Sequence, residues 1–300
     1  MKPIYLGALT LLGSIWGASF IFIHVAVVSF GPIPLMWGRV AIAAVALTML
    51  GIMTKSIPNF RHYWRQFLIV GTINAAIPFT LIAWSELTLS ASLASILNST
   101  TPLFTAMIAA VWIGETLTWR KILGVVLGII GVAILVGGSA LTLTGSLVWA
   151  TLASLGAAAL YGVGTVYASR NFIGLKPLET SIGQLFGATT VLLIPMLLTL
   201  PNEIPPMNAI GSLLALALVS TAFAYLLYFY LLMNVGPTRT ATVTFLVPVF
   251  GTFWGVLFLG DTLTAGMLVG MAIVLSSVGL VISGRFTKSK RPPVKLATGD

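Results

Sequence analysis

The sequence predicts an all-α integral membrane protein of ten transmembrane helices, arranged as two inverted five-helix repeats with the N and C termini cytoplasmic. Three observations predict it. The 300 residues are 58% hydrophobic and 7% charged, against about 25% charged in a soluble domain, and the mean hydropathy is +1.07. Fourteen of the fifteen Lys and Arg fall in the termini and alternate loops, and a shift of 146 positions brings the fourth and fifth apolar segments onto the ninth and tenth. About 20 apolar residues cross the ~30 Å hydrocarbon core, so the length allows roughly ten spans with short loops and no sizeable extramembrane domain. With no cysteine, disulfides, thiolate catalysis and Cys-ligated metal sites are excluded. The net charge of +9 would suggest nucleic acid in a soluble protein; here its placement reports topology.

Apolar runs between punctuation residues define the helices in order. The first, Ile4–Val28, follows Lys2 and is far longer than the roughly 7–15 residues of a signal-peptide apolar region, so it is expected to be a retained span. Leu35–Met53 carries Arg39 about a turn from its outer end. Gln66–Trp84 lies between Arg65 and Glu86, and Ala91–Ile113 contains Pro102. Ile122–Val136 contains Gly124, Gly128 and Gly131. Gly145–Ala168 contains Tyr161, and Thr180–Leu200 has Gly183 and Gly187. Ile210–Met233 is rich in tyrosine, Ala241–Leu259 contains Pro248, and Ala265–Ile282 has Gly266 and Gly270. Small residues four apart let helix backbones approach closely, which suits packing within or between subunits and leaves a homodimer open.

Lys2, then Lys55, Arg61 and Arg65, then Arg120 and Lys121, then Arg170 and Lys176, then Arg239, and finally Arg285, Lys288, Lys290, Arg291 and Lys295 lie on one side. By the positive-inside rule that side is cytoplasmic. The 146-residue shift places Pro102 on Pro248, Phe104 on Phe250, Gly114 on Gly260, Thr116-Leu117-Thr118 on Thr262-Leu263-Thr264, Gly124 on Gly270, Gly138 on Gly284 and Glu115 on Asp261. Such register argues for a duplicated unit, and an odd helix count per unit inverts the second copy. The expected organisation is residues 1–140, residues 141–284 and a basic tail at 285–300. Inverted repeats characterise secondary transporters, whose halves alternate around a midplane site.

The first half, with Trp16-Gly17-Ala18-Ser19-Phe20, Arg39, and the stretch from Pro78 through Pro102, Gly114-Glu115 and Gly124 to Gly131, closely resembles the EamA domain of the drug/metabolite transporter superfamily. The second half, from Tyr161-Gly162 through Arg239, Pro248, Gly260-Asp261 and Gly270, resembles a second such domain. The resemblance implies a ten-helix bundle with a central cavity lined mainly by the first, third, fourth, sixth, eighth and ninth helices. It implies transport of amino acids, other metabolites or drugs.

Pro102 and Pro248 stand about thirteen residues before an acidic turn, about 20 Å at 1.5 Å per residue and so near mid-membrane. Each frees the carbonyl four residues earlier, those of Asn98 and Thr244. Asn98-Ser99-Thr100-Thr101 is the most polar stretch within a span, and at that depth it requires protein or a water-filled cavity around it. The alternative is a kink satisfied by Ser and Thr hydroxyls. Trp16 and Tyr161 occupy matching mid-membrane places and suit a cavity or gate; Tyr228, Tyr230, Trp37 and Trp64 read as interfacial anchors. The candidate substrate-binding residues are Trp16, Ser19, Asn74, Asn98, Thr101, Tyr161, Tyr225 and Thr244. Arg39 either receives a substrate carboxylate or snorkels to headgroups, and His24 is a candidate proton carrier or a packing residue.

All six acidic residues, Glu86, Glu115, Glu179, Glu203, Asp261 and Asp300, read as span ends, loops or tail. Proton-coupled export of lipophilic cations calls for a buried carboxylate, and phosphorylated substrates call for several buried cations; neither pattern is visible. The expectation is export of a small neutral or zwitterionic metabolite, amino acids foremost, by facilitated diffusion or exchange, with organic-cation export as the alternative. A membrane enzyme acting on lipid would need an acid/base or metal constellation, and the chain has neither HExxH nor GxSxG, with His24 and His62 on opposite sides. No cofactor, metal or nucleic-acid partner is expected. The basic tail is a topology determinant that also suits anionic lipid.

Overall fold

The computed structural model describes residues 1–139 and 144–283. Gly284, Asp300 and the basic tail lie outside the described residues. Among those described there are helices and turns and no strands. The helices are α1 (Pro3–Phe30), α2 (Pro32–Met53), α3 (Phe60–Ser85), α4 (Ala91–Ile113), α5 (Trp119–Gly137), α6 (Gly145–Asn171), α7 (Pro177–Leu198), α8 (Met207–Val235), α9 (Val243–Leu259) and α10 (Ala265–Ile282). All but α9 are long and apolar enough to cross a bilayer. Large apolar side chains such as Val111, Leu198 and Met53 point outward, as a lipid-facing surface requires.

Several boundaries move from their predicted positions for identifiable reasons. α3 starts at Phe60, not Gln66, because the Asn59 side chain accepts from the His62 N–H at 3.1 Å and caps a polar first turn. α5 starts at Trp119 after Thr118, with Arg120 and Lys121 in its first turn, and α9 starts at Val243 after a turn at Ala241-Thr242. α3 is continuous only through a wide π-type turn at Thr72–Ala76. Pro78 follows it and cannot donate to the Asn74 carbonyl, and such bulges absorb that loss. A similar wide turn at Ala215–Phe223 lies in α8, where the Thr221 hydroxyl donates to Leu216 O at 2.9 Å.

α4 breaks at Ser99-Thr100, between helical stretches Ala91–Asn98 and Thr101–Ile113. The hydroxyls of Ser99, Thr100 and Thr101 donate to Ile96 O (2.6 Å), Leu97 O (2.6 Å) and Asn98 O (2.8 Å). The carbonyl that Pro102 releases is therefore taken up by Thr101, so the expectation of a free Asn98 carbonyl is corrected: the residue preceding the proline supplies the missing donor.

The 146-residue correspondence reappears as backbone geometry. Gly114 and Gly260 both end their helices in the left-handed region, at φ 66° and 68°, where a side chain is strained. The next N–H donates back six residues in each case, Glu115 to Ala109 O and Asp261 to Gly255 O. Packing follows a similar correspondence, with the first helices of the two halves offset by 145 and their partners by 146. An added Cβ on Gly17 of α1 would lie 2.6 Å from Gly251 N of α9, and one on Gly162 of α6 would lie 2.9 Å from Thr105 N of α4. α5 and α10 run antiparallel along a seam of small residues: Gly124 meets Ser277 and Val281, Gly131 meets Val274, Gly270 meets Leu135, and Gly138 meets Gly266.

Candidate functional site

The site is built around Arg39. It stands in the first turns of α2, after Pro32 and Pro34 have set the helix start, and it is 7% exposed. Its Nε donates to the Thr221 hydroxyl at 2.9 Å, and its guanidinium carbon lies 3.8 Å from the centroid of the Phe79 ring. The wide turn of α8 presents Thr221 to it, and α3 presents Phe79 one residue after the proline that follows its own wide turn. Cation–π contact and a hydrogen bond together compensate part of the cost of holding a charge inside the bundle. Snorkelling to headgroups is thereby corrected: the side chain turns inward because Thr221 and Phe79 receive it there.

Tyr161 of α6, Tyr225 of α8 and Glu86 at the end of α3 all lie within electrostatic reach of this guanidinium. Phe79 packs edge-on to Tyr161, with centroids 6.1 Å apart. A second polar chain runs beside it. Asn74 Nδ2 donates to Gln184 Oε1 at 2.9 Å, and Gln184 Nε2 donates to Tyr225 Oη at 3.3 Å. Arg39, Asn74, Gln184, Tyr161 and Tyr225 thus form one interior polar cluster contributed by α2, α3, α6, α7 and α8.

Trp16 sits elsewhere, packed on Tyr228 with centroids 5.6 Å apart. Tyr228 is half-buried; Phe229 packs on both Tyr228 and Tyr225 and links the two aromatic groups. Trp37 is also half-buried, with an indole N–H that meets no acceptor among the described residues. Trp64 is exposed. The Ser19 hydroxyl donates to Trp16 O at 2.6 Å, and that of Thr244 to Ala241 O at 2.8 Å, so both serve their own helices. Asn98 and Thr101 lie at the α4 break; the Asn98 side-chain oxygen and His24 Nδ1 are both buried without a hydrogen-bond partner among the described residues. Pro102 opens the second half of α4, and Pro248 is buried inside α9.

Glu86 overturns one sequence-based expectation. It is 1% exposed, and neither carboxylate oxygen meets a hydrogen-bond donor among the described residues. Burial pushes its carboxyl well above the usual carboxylate range; Arg39 opposes that and Asp261 adds to it. The interior does contain a carboxylate, buried at the end of α3 within electrostatic reach of Arg39 and Asp261. The Gly260–Asp261 turn is itself anchored: Asp261 Oδ2 accepts from Ser92 N at 2.9 Å and Ser92 Oγ at 2.5 Å. Its counterpart Glu115 instead pairs with Lys121 at 2.7 Å. A separate apolar groove of about 340 Å³, lined by Ala44, Met49, Phe186 and Thr189 among others, lies between α2 and α7 away from these groups.

Gln184 and Glu86 escaped sequence reasoning. Gln184 is an amide amid an apolar run, a usable signal; Glu86 gave none beyond its place at a span end.

A fold of apolar helices around a buried polar cluster is the architecture of a membrane carrier, and comparison with known proteins agrees. The EamA-like transporter family model matches twice, over residues 4–137 and 147–283. The chain belongs to that family and is a multi-pass membrane transporter. It is 26% identical over 282 residues to an uncharacterized transporter of Archaeoglobus fulgidus, covering 92% of this chain and 98% of the relative. It is 27% identical over 279 residues to a probable terminal-alkyne amino-acid exporter of Streptantibioticus cattleyicolor, covering 91% and 92%. The inner membrane transporter YedA of Escherichia coli is 25% identical, with 98% and 95% covered. A solved crystal structure shares the fold at TM-score 0.65 and 18% identity, covering 91% of this chain and 96% of that one.

Proposed function

We propose that the protein is a plasma-membrane exporter, in bacterial terms of the inner membrane, for a small neutral or zwitterionic metabolite, with amino acids as the substrate class. In this reading ten spans form two inverted five-helix repeats, residues 1–140 and 141–284, with both termini cytoplasmic, and the halves alternate around a midplane cavity. The two family matches and the antiparallel pairing of corresponding helices α5 and α10 support the repeat. The observation that carries the substrate class is the buried Arg39 beside Tyr161, Tyr225 and the Asn74–Gln184 amides. One fixed cation fits one carboxylate, and a guanidinium offers it paired donors. The printed name of the Streptantibioticus relative points the same way.

A second reading, export of organic cations, is favoured by Glu86, because a buried carboxylate is what that chemistry uses. Uptake into proteoliposomes separates the two. Labelled amino acids are expected to show saturable flux that Arg39→Gln lowers at least tenfold, while an organic cation and a sugar phosphate stay at the rate of empty vesicles. Cation flux with no amino-acid flux would reject the first reading in favour of the second.

A further inference from the structure

The outer end of the bundle holds a charge problem that the substrate site does not explain. Glu86, 1% exposed, has two oxygens without a donor among the described residues. The charged groups that act on it are Arg39 of α2 and Asp261 of the turn before α10. Arg39 is turned toward Thr221 and Phe79 and makes no hydrogen bond to either Glu86 oxygen. Asp261 is committed as an acceptor to Ser92 and presents a like charge. A carboxylate left in such a place without a paired cation costs several kcal/mol as an ion and little as a neutral acid. The packed arrangement therefore belongs to the protonated side chain. Ionisation has two ways to relieve the charge: Arg39 swings toward Glu86 and leaves Thr221, or water reaches Glu86 when the 86–92 segment parts from the Asp261 turn that Ser92 holds, and only the second opens this end of the bundle.

We propose that Glu86 is a proton-binding site that controls the outer seal, closed when a proton is bound and opened when it leaves. The proposal takes from the functional reading only that the sealed end faces outward. The lack of native cysteine makes a direct test clean. Ser85 is fully buried beside Glu86, and Leu87 is exposed. In the full-length protein in vesicles, Ser85→Cys would be labelled with an impermeant maleimide from the side bearing Glu86, with Leu87→Cys as the reference for thiol ionisation at each pH.

The normalised rate at Ser85→Cys should rise with pH, by no more than about tenfold per pH unit, as a single titrating proton allows. With Glu86→Gln added it should stay at the low-pH value throughout, since the amide mimics the protonated acid. Glu86→Asp, which keeps the acid, should keep a pH response. A normalised rate that is flat in the parent, or that rises equally in Glu86→Gln, overturns the proposal. The readout needs no substrate. A pH-gated labelling pattern without amino-acid flux would sink the substrate reading alone, whereas flux with an ungated pattern would sink this inference alone.

Discussion

Arg39 and Gln184 show how a few polar side chains acquire meaning from what surrounds them. In the sequence Arg39 is a charge a turn inside an apolar helix, equally suited to headgroups or to the interior. Its direction was illegible because nearly every position of α2 is apolar, which leaves no periodic face to orient it. The structure turns it inward onto Thr221 and Phe79. Gln184 is more informative than its position suggested, since it joins Asn74 to Tyr225. Gln184→Leu would leave both unpaired inside the bundle, at about 1–3 kcal/mol. We expect a melting temperature in detergent lowered by a few degrees and a higher KM for the transported amino acid, with Gln184→Glu recovering part of the stability. An unchanged KM would place the amide chain outside the substrate path.

At the scale of elements, the sequence was most legible where punctuation is strong. The ten apolar runs, the break near Pro102 and the glycines of α5 and α10 could all be read before any coordinates. Helix starts were less legible, because side-chain caps such as Asn59 extend a helix into polar sequence that hydropathy discards. The repair at Pro102 was also out of reach, since it depends on the rotamer by which Thr101 reaches Asn98 O. Removing that hydroxyl with Thr101→Val should cost about 1 kcal/mol. The seam predicts a larger effect: a Cβ on Gly270 would stand 2.7 Å from Leu135 Cα. Gly270→Val is therefore expected to destabilise by at least about 1–3 kcal/mol through overpacking, whereas Gly211→Ala, with open space around it, should be near neutral. Thermal unfolding of the three variants checks the order.

For the whole molecule, the duplicated plan was legible as a shift of 146 positions between the last two helices of each half, and the structure repeats it in the glycine turns and, with the first helices offset by 145, in the α1–α9 and α6–α4 contacts. What a shift cannot reveal is how two corresponding acids come to do different work. Cysteines at 92 and 261, where Ser92 Oγ and Asp261 Oδ2 now lie 2.5 Å apart, should tie the outer seal shut on oxidation. Flux should then fall to the vesicle background and return on reduction; undiminished flux in the cross-linked protein would show that this contact need not open.

The difference between Glu115 and Asp261 reaches further than either turn. Glu115 is tied to Lys121 six residues along its own half, while Asp261 reaches into the other half to hold Ser92. The Asp261 turn is thus a latch between the two family-matched halves, and in the proposed cycle a latch on one door holds that door shut at rest. In the proposed cycle an empty carrier favours the form barred to the outside. In that cycle the carrier waits for its cargo from the cytoplasm, and a pair of hydrogen bonds to one carboxylate oxygen sets the side from which it loads.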